Sequence, residues 1–390
     1  MTVTYGLLST FPPTACGLAT FTAALGAGLT GSAARPGACR VVRVVDEPGD
    51  LVPGVVANLV AGSAISRRDA ADELNDTDVV IIQHEYGIFG GPDGDEILAV
   101  MDALTKPVIV VLHTVVVEPT AHQREVLEAV VEAADAAVTM THTAARRLAA
   151  GYSVDMDKIS VIPHGAHVTV GAAPVTAALD ARAGARPTGP AWRPTILTWG
   201  LIGPGKGIEW GIEALALLGD LRPSPRYLVV GETHPRVFEA HGEAYRTSLR
   251  SRADGLGLSD DVVFDATYLD VPALQRIVEE ATLVLLPYDS PDQITSGVLI
   301  EAVAAGKPVV STRFPHAVEL LGGGVGLLVA HRDPADIAAA VRRVLTDGRL
   351  RANMTGAAQR LAPGLAWAAV ADGYRDLGSR LLDARTTAVA

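Results

Sequence analysis

Short apolar runs alternate along the chain with longer segments in which apolar residues recur at helical spacing. In the first half, the runs are typical of buried strands: VTYGLLS (3–9), CRVVRVV (39–45), DVVIIQH (78–84), PVIVVLH (107–113), AAVTMT (136–141) and ISVIPHG (159–165). Between them lie segments such as AHQREVLEAVVEAAD, residues 121–135, which have the apolar spacing of a helix. Continuous apolar strands joined by helices predict a parallel sheet covered on both faces.

The pattern breaks at residues 171–194, where Ala, Gly and Pro dominate, and we interpret this stretch as an interdomain linker. A second series of strand-like runs follows: PTILTWG (194–200), RYLVVGE (226–232), VVFDAT (262–267), ATLVLLPY (281–288), KPVVST (307–312) and GGVGLLVA (323–330). Helical patterns at residues 207–220 and 298–306 lie between them. The sequence therefore predicts an α/β protein of two doubly wound, Rossmann-like domains facing a central cleft, with ligands at the carboxyl ends of the strands.

Composition narrows the class of protein. The 390 residues are 49% hydrophobic and 19% charged, which is enough apolar content for two cores of ordinary size. A formal net charge of −12 argues against non-specific nucleic-acid binding and against an anionic membrane surface. The only cysteines, Cys16 and Cys39, exclude a disulfide framework and suit a reducing compartment. Because neither a signal peptide nor an apolar run of about 18 residues is visible, we expect a cytoplasmic protein without a transmembrane segment.

The stretch WGLIGPGKGIE, residues 199–209, holds the first candidate chemistry. Its glycines and Lys206 have nearly the spacing of a Walker A phosphate loop, but Gly207 stands where that motif needs Ser or Thr for magnesium. The loop joins a strand to a helix, where a lysine and the helix N-terminus both favour an anion. The spacing leaves open a P-loop ATPase, a phosphate loop of another kind, and a glycine-rich turn with a solvated lysine.

A second candidate lies in LLPYDSPDQITSGVLIEAVAAGKPVVST, residues 285–312, where a strand ends, a polar loop follows and a helix begins. Backbone amides at a helix start are free to cradle a pyrophosphate, and here they belong to Thr295, Ser296, Gly297 and Val298. Glu301, one turn further, could accept hydrogen bonds from a ribose diol. An ordinary helix with a favourably placed N-terminal glutamate would explain the same residues.

Together these two motifs resemble the second domain of family 4 retaining glycosyltransferases, which have the GT-B fold. Three further matches follow the family's order in the first half: FPPTACGLATFTAAL (11–25), VVLHTV (111–116) and ISVIPHGAH (159–167). The resemblance covers most of the chain. It implies an acceptor-binding domain at residues 1–185, a nucleotide-sugar domain at 186–365, and a C-terminal helix at 366–390 that packs back toward the first domain.

The resemblance also implies roles for single residues. Lys206 would bind the donor diphosphate together with the backbone of Gly17 and of residues 295–298. Glu301 would bind the ribose, and His113 would lie beside the transferred sugar. His113, Lys206 and Glu301 are the predicted catalytic residues. The nucleoside pocket is expected near residues 229–235 and 264–270, where the predicted contacts are Gly231 and Tyr268.

Polar residues at the strand ends of the first half are candidates for the sugar and acceptor side. His84 and Glu85 end one predicted strand, and His113 ends the next. His164 and His167 flank Gly165, where a hinge role and a ligand role both stay open. The predicted sugar-side or acceptor-side contacts are His84, Glu85, Gln293 and His164. A His–Glu pair can bind a metal, but no further ligand has suitable spacing, so no metal site is predicted.

The chain departs from the family pattern at two positions. Leu201 stands where the family commonly has an arginine that reinforces the lysine, and Gln293 stands where it has a first glutamate. We therefore expect an altered sugar site or slower chemistry on the same fold.

The predicted function is transfer of a sugar, with retention, from a nucleotide diphosphate sugar to a carbohydrate or other hydroxyl acceptor, without a metal or other cofactor. GDP-mannose is slightly favoured over UDP-sugars. The alternatives are a catalytically silent sugar-nucleotide-binding protein, a nucleotide-sugar 2-epimerase and a P-loop ATPase.

Overall fold

The computed structural model describes residues 2–31, 37–168 and 193–389. These residues form two compact units, which we call the first domain (Met1–Gly165 with Leu365–Ala390) and the second domain (Ala166–Gly364). The predicted linker, residues 171–194, lies outside the described residues except for its last two positions. The predicted boundary between residues 185 and 186 also lies outside them and stays a prediction.

The first domain is built on a seven-stranded sheet with the order β3-β2-β1-β4-β5-β6-β7, in which every pairing is parallel. Its strands are β1 (Val3–Ser9), β2 (Gly37–Val45), β3 (Val55–Val60), β4 (Val79–His84), β5 (Val108–Leu112), β6 (Ala136–Thr139) and β7 (Ile159–Val161). Its first helices are α1 (Gly17–Thr30), α2 (Ala64–Asn75), α3 (Glu96–Met101), α4 (Ala121–Ala133) and α5 (His142–Gly151). Short 3-10 turns occupy Pro92–Gly94 and Met156–Lys158.

The last helix of the chain, Trp367–Val389, completes the core of the first domain. Its apolar residues pack with Phe21 and Leu25 of α1 and with Leu7 of β1 in one buried cluster. The buried Arg375 donates hydrogen bonds to the carbonyl oxygens of Gly28 and Leu29, near the end of α1. These bonds satisfy carbonyls that have no partner within a helix end.

The second domain has a six-stranded parallel sheet with the order β10-β9-β8-β11-β12-β13. Its strands are β8 (Thr195–Trp199), β9 (Arg226–Val230), β10 (Val262–Asp265), β11 (Leu283–Leu286), β12 (Val309–Thr312) and β13 (Gly326–Val329). Its helices are α6 (Ile208–Ala216), α7 (Pro235–His241), α8 (Ala244–Gly255), α9 (Val271–Glu280), α10 (Gly297–Ala304), α11 (Pro315–Leu321), α12 (Pro334–Thr346) and α13 (Gly348–Leu365). The chain's last helix is α14.

The prediction of two doubly wound parallel sheets is confirmed, although most strands are shorter than the apolar runs that predicted them. Strand β3 was not predicted, because Asn58 divides the apolar residues of Val55–Val60 into two short pieces; in the structure it is an edge strand whose residues alternate between buried and half-exposed. Within the described ranges, no helix combines the length and the apolar character needed to span a bilayer.

Candidate functional site

In each domain the strand order reverses beside the first strand, between β1 and β4 in one sheet and between β8 and β11 in the other. The connections that leave these two strands run in opposite directions, which opens a crevice at their carboxyl ends where open α/β sheets bind ligands. In the second domain the Lys206 loop follows β8 and residues 287–296 follow β11. In the first domain Gly17 lies beyond β1, and His84 ends β4. The topology therefore gathers predicted residues of each domain at one sheet edge.

The loop that carries Lys206 has a backbone that only glycine adopts easily. Gly200, Gly205 and Gly207 have φ angles of 119°, 88° and 63°. A Cβ on Gly207 would collide with the carbonyl oxygen of Pro287, in the loop after β11. The Lys206 ammonium lies 4.5 Å from the centre of the Tyr288 ring. The lysine loop is thus fixed against the loop that leaves the neighbouring strand.

The start of helix α10 lies next to the same loop, since a Cβ on Gly200 would be 3.5 Å from Cγ2 of Val298. Ser296 caps the helix, its Oγ accepting from the amide of Leu299 at 3.3 Å. The Ser296 amide was predicted to be free, and this is wrong: it donates to Nδ1 of the buried His316 at 2.9 Å. The amides of Gly297 and Val298 have no acceptor among the described residues. The Thr295 amide has no acceptor there either, so three amides and one lysine remain for an anion.

Gln293 stabilises the approach to this helix. Its Nε2 donates to the carbonyl oxygen of Thr295 at 2.9 Å, and its own backbone amide donates to Ser290 at 3.3 Å. The hydroxyl of Thr295 is buried and has no partner in the part of the chain that the structure describes. The amide side chain of Gln293 thus shapes the loop directly before the helix start.

Glu301 is held by a residue that lies 134 positions earlier in the sequence. The backbone amide of His167 donates to both Glu301 carboxylate oxygens at 3.2 Å, and its Nδ1 lies 3.1 Å from Oε1. The carbonyl of His167 in turn accepts from Gln275 Nε2 at 3.3 Å. The Glu301 side chain is about one-quarter exposed. These contacts fix the carboxylate at the surface of the domain without enclosing it.

The two predicted nucleoside contacts, Gly231 and Tyr268, have different surroundings. The amide and carbonyl of Gly231 are both bonded inside the domain, to Asp265 and to the buried Arg246, at 2.8 and 2.6 Å. A Cβ on Gly231 would meet the carbonyl of Gly200, so this glycine permits the close approach of the lysine loop. Tyr268 is half exposed after β10, the edge strand, two strands away from β8.

Next to Leu201, the lysine loop pairs with the segment that follows β9. Ile202 bridges to Thr233, and the amide of His234 donates to the Ile202 carbonyl at 2.8 Å. Burial, with the positive charges of Arg236 and Lys206, lowers the pKa of His234. His234 lies within the predicted nucleoside segment, residues 229–235, although it was not named as a contact.

His113 follows β5 and contacts a glutamine on β4. Its Nε2 lies 2.6 Å from Oε1 of the fully buried Gln83, and its ring makes an edge contact with Phe21 at 5.0 Å. Burial, and to a smaller extent the nearby His164 and His84, lowers the pKa of His113 to about 3. The imidazole is therefore neutral at physiological pH.

His84 is fully buried at the end of β4, and neither ring nitrogen has a hydrogen-bond partner among the described residues. Burial lowers its pKa to about 4. The hydroxyl of Ser9, at the end of the adjacent β1, is likewise buried without a partner. A buried polar group without a partner costs about 1–3 kcal/mol, so these two groups lower the stability of the first domain at the carboxyl edge of its sheet.

The remaining predicted residues of the first domain take part in local structure. Glu85 accepts hydrogen bonds from the hydroxyl of Thr114 and from the amide of Tyr86, at 2.5 and 3.1 Å. His164 donates from Nδ1 to the Gly165 carbonyl at 2.6 Å, and its ring packs between Phe21 and Trp367.

Gly17 begins helix α1 directly after the N-cap residue Cys16, whose Sγ accepts from the Ala19 amide at 3.4 Å. Gly17 is exposed, and a Cβ placed on it would meet no atom within 4 Å. The backbone there is open to an approaching ligand. Gln83 and Ser9, which the sequence reasoning missed, are polar residues at the ends of apolar strands, and that position was their signal.

Residues 193–347 match the family model described as "Glycosyl transferases group 1". Among curated proteins, the chain is similar to the D-inositol 3-phosphate glycosyltransferase of Acidothermus cellulolyticus, with 32% identity over 269 residues, 66% of this chain and 56% of the relative. The protein of the same name from Kineococcus radiotolerans is 32% identical over 272 residues, 66% of this chain and 59% of the relative. The chain thus spans a little over half the length of these two relatives.

Solved structures share the whole architecture at low sequence identity. HepE from Anabaena, solved with UDP and glucose, has a TM-score of 0.70 and 17% identity and covers 96% of this chain and 99% of its own. Sucrose-phosphate synthase from Thermosynechococcus elongatus has a TM-score of 0.73 and 19% identity, with coverage of 98% and 100%. These similarities confirm the predicted fold class, GT-B with two Rossmann-like domains.

Proposed function

We propose that the chain is a glycosyl transferase of group 1, the family whose model its second domain matches, and that it moves a sugar, with retention, from a nucleotide diphosphate sugar to an acceptor hydroxyl. The contact of the Lys206 loop with the start of helix α10 is the main support for this function. There a lysine and the unbonded amides of Gly297 and Val298 lie at the switch point of one sheet. A cation and helix-terminal amides are the groups that bind a diphosphate.

The proposed reaction needs positive charge beside the diphosphate while the bond to the sugar breaks. The bond between the anomeric carbon and the diphosphate oxygen breaks, the acceptor oxygen bonds to the same face of that carbon, and the acceptor proton passes to the leaving diphosphate. The protein's task is to stabilise the negative charge that develops on the leaving group. Because Lys206 and the helix amides supply positive potential, we propose that no metal ion is required.

A Walker-type ATPase is less well supported by the same loop. In that motif the residue after the lysine carries the hydroxyl that binds magnesium. Here the position is Gly207, whose φ is 63° and whose Cβ would collide with the Pro287 carbonyl. A serine or threonine would therefore not fit without moving the loop.

We propose that the acceptor binds to the first domain. The relatives from Acidothermus and Kineococcus are named for D-inositol 3-phosphate, a phosphorylated polyol. His113 at the carboxyl edge of the first sheet is only partly buried, and its Nδ1 suits a hydroxyl of such a molecule. We therefore propose a polyol or sugar acceptor, and we include D-inositol 3-phosphate among those to be tested.

The first test is a thermal-shift screen of UDP, GDP, ADP and TDP, each with EDTA and with magnesium. We expect one diphosphate to stabilise the protein equally in both conditions, in wild type and in the control Lys106→Ala, whose lysine lies in the first domain. Lys206→Ala should lose that stabilisation. If no diphosphate stabilises the wild type, or if Lys206→Ala responds normally, the donor site is wrongly assigned.

The second test follows turnover of the matching donor sugars, GDP-mannose and UDP-glucose first, with and without acceptor. Transfer to an acceptor supports the proposal. A catalytically silent binding protein is the second candidate, favoured by Gln293, which supplies no negative charge beside the helix start. It would bind the nucleotide and show neither transfer nor hydrolysis. Release of a free epimerised sugar without acceptor would instead identify a 2-epimerase.

A further inference from the structure

We propose that Gln83 is a positioning residue that holds His113 in the tautomer with its proton on Nε2, leaving Nδ1 to accept a hydrogen bond from a substrate hydroxyl. The hydrogen bond between Nδ1 and a substrate hydroxyl rests on the proposed function. The assignment of the tautomer rests only on the geometry of the first domain.

The sheet register brings the two side chains together. Gln83 of β4 is paired with Val111 of β5, and paired residues of parallel strands project from the same face. His113 lies two positions after Val111 and shares that face. The observed distance of 2.6 Å between Gln83 Oε1 and His113 Nε2 is that of a short hydrogen bond.

The chemistry of the glutamine decides the tautomer. With the amide oriented so that Oε1 faces the ring, this oxygen can only accept, and the proton of the bond belongs to Nε2 of the imidazole. Gln83 is fully buried on β4, and its amide cannot be displaced by solvent. His113 is only partly buried, and its Nδ1 has no hydrogen-bond partner in the described ranges. Nε2 therefore bonds to Gln83, and Nδ1 can accept a hydrogen bond from a ligand.

A neutral imidazole suits a position beside the reacting carbon. Burial and the neighbouring His164 and His84 keep the pKa of His113 near 3, so the ring carries no charge at neutral pH. An imidazolium would repel the positive charge that develops on a sugar ring as the leaving group departs. A glutamate at position 83 would favour that imidazolium, because an adjacent carboxylate stabilises the charged form of histidine. A glutamine holds the ring equally well without this effect.

The direct test is long-range proton–nitrogen correlation NMR of the histidine rings in the full-length protein, with His113 assigned from the spectrum of His113→Asn. In the wild type we expect His113 to show the Nε2-protonated tautomer and no titration between about pH 5.5 and 8. Gln83→Glu should bring imidazolium signals of His113 into this range. Gln83→Met, which keeps the volume but removes the acceptor, should give a mixture of tautomers. An Nδ1-protonated ring in the wild type, or an unchanged tautomer in Gln83→Met, would overturn the proposal.

Enzyme kinetics distinguish a positioning role of Gln83 from a purely structural one, because a structural role would leave the pH profile of kcat unchanged. If the chain transfers sugar, Gln83→Glu should lower kcat at pH 7 by about tenfold or more and add a new ionisation to the pH profile of kcat. The nucleotide-induced thermal shift, which reports the second domain, should be unchanged in both Gln83 variants. A wild type with the expected NMR tautomer but no transferase activity would refute the proposed function and leave the tautomer assignment standing. An unchanged pH profile in Gln83→Glu would refute the catalytic consequence.

Discussion

The buried His84 contributes to the pH dependence of the stability of the first domain, and the variant His84→Leu should remove that contribution. Burial lowers the pKa of His84 to about 4, whereas a histidine in an unfolded chain titrates near 6.5. The unfolded chain therefore binds the proton more readily, and acid favours unfolding. The contribution is complete above about pH 6.5 and is lost as the pH falls through about 4.

The magnitude follows from the two pKa values. The full shift of about 2.5 units corresponds to roughly 3.4 kcal/mol, which is reached only well below pH 4. Between about pH 7.5 and 6.0 the linkage relation gives a loss of about 0.8 kcal/mol in the free energy of unfolding from this one histidine. His113 and the carboxylates add their own pH dependence, but they are present in both proteins. The difference between wild type and His84→Leu isolates His84.

The assay is calorimetric or denaturant unfolding of both proteins at the two pH values. Ile82→Val, which shortens a fully buried side chain on the same strand, is the control. It should lower stability by about 0.5–1.5 kcal/mol equally at both pH values, and it identifies the transition that belongs to the first domain. If wild type and His84→Leu lose the same free energy between the two pH values, His84 is not held neutral by burial and the reasoning fails.

Two further predictions concern the second domain. Gly207→Ala places a methyl group against the Pro287 carbonyl at a positive φ, so it should cost about 1–3 kcal/mol and abolish the nucleotide-induced thermal shift, whereas Gly219→Ala, on an exposed and unstrained backbone, should do neither. His167→Ala removes Nδ1 from Glu301 but keeps the backbone amide, so nucleotide affinity measured by calorimetry should fall about three- to tenfold. Unchanged affinity in His167→Ala, or a normal thermal shift in Gly207→Ala, would contradict these assignments.

The fold was predictable from the sequence because its signal is repeated along the chain. Each apolar run reports one buried parallel strand, and a single misplaced boundary does not change the architecture. Strand β3 lacks this signal, since it is an edge strand whose apolar residues are interrupted by a polar one. Lys206 and His113 each follow an apolar run closely in the sequence, so their positions after the strands β8 and β5 were visible without knowledge of the strand order.

The partners of the site residues were not predictable in the same way. His167 and Glu301 lie 134 positions apart, and no periodicity relates them. The bond from the Ser296 amide to His316 likewise depends on how α11 packs against the start of α10. A helix start is visible in the sequence, but which of its amides are already bonded depends on side chains from other elements.

The two departures from the family pattern have different physical consequences. Gln293 uses its Nε2 to donate to the Thr295 carbonyl, a bond that an ionised glutamate could not make, so the amide shapes the helix start at the expense of a negative charge. At position 201 a leucine supplies no positive charge, and the adjacent part of the lysine loop is paired with the segment that carries His234. A bound diphosphate would add negative charge beside this histidine and so raise its pKa, opposing the effect of Arg236 and Lys206. Part of the positive charge at this site would then appear only when the ligand binds, whereas an arginine would be charged at all times.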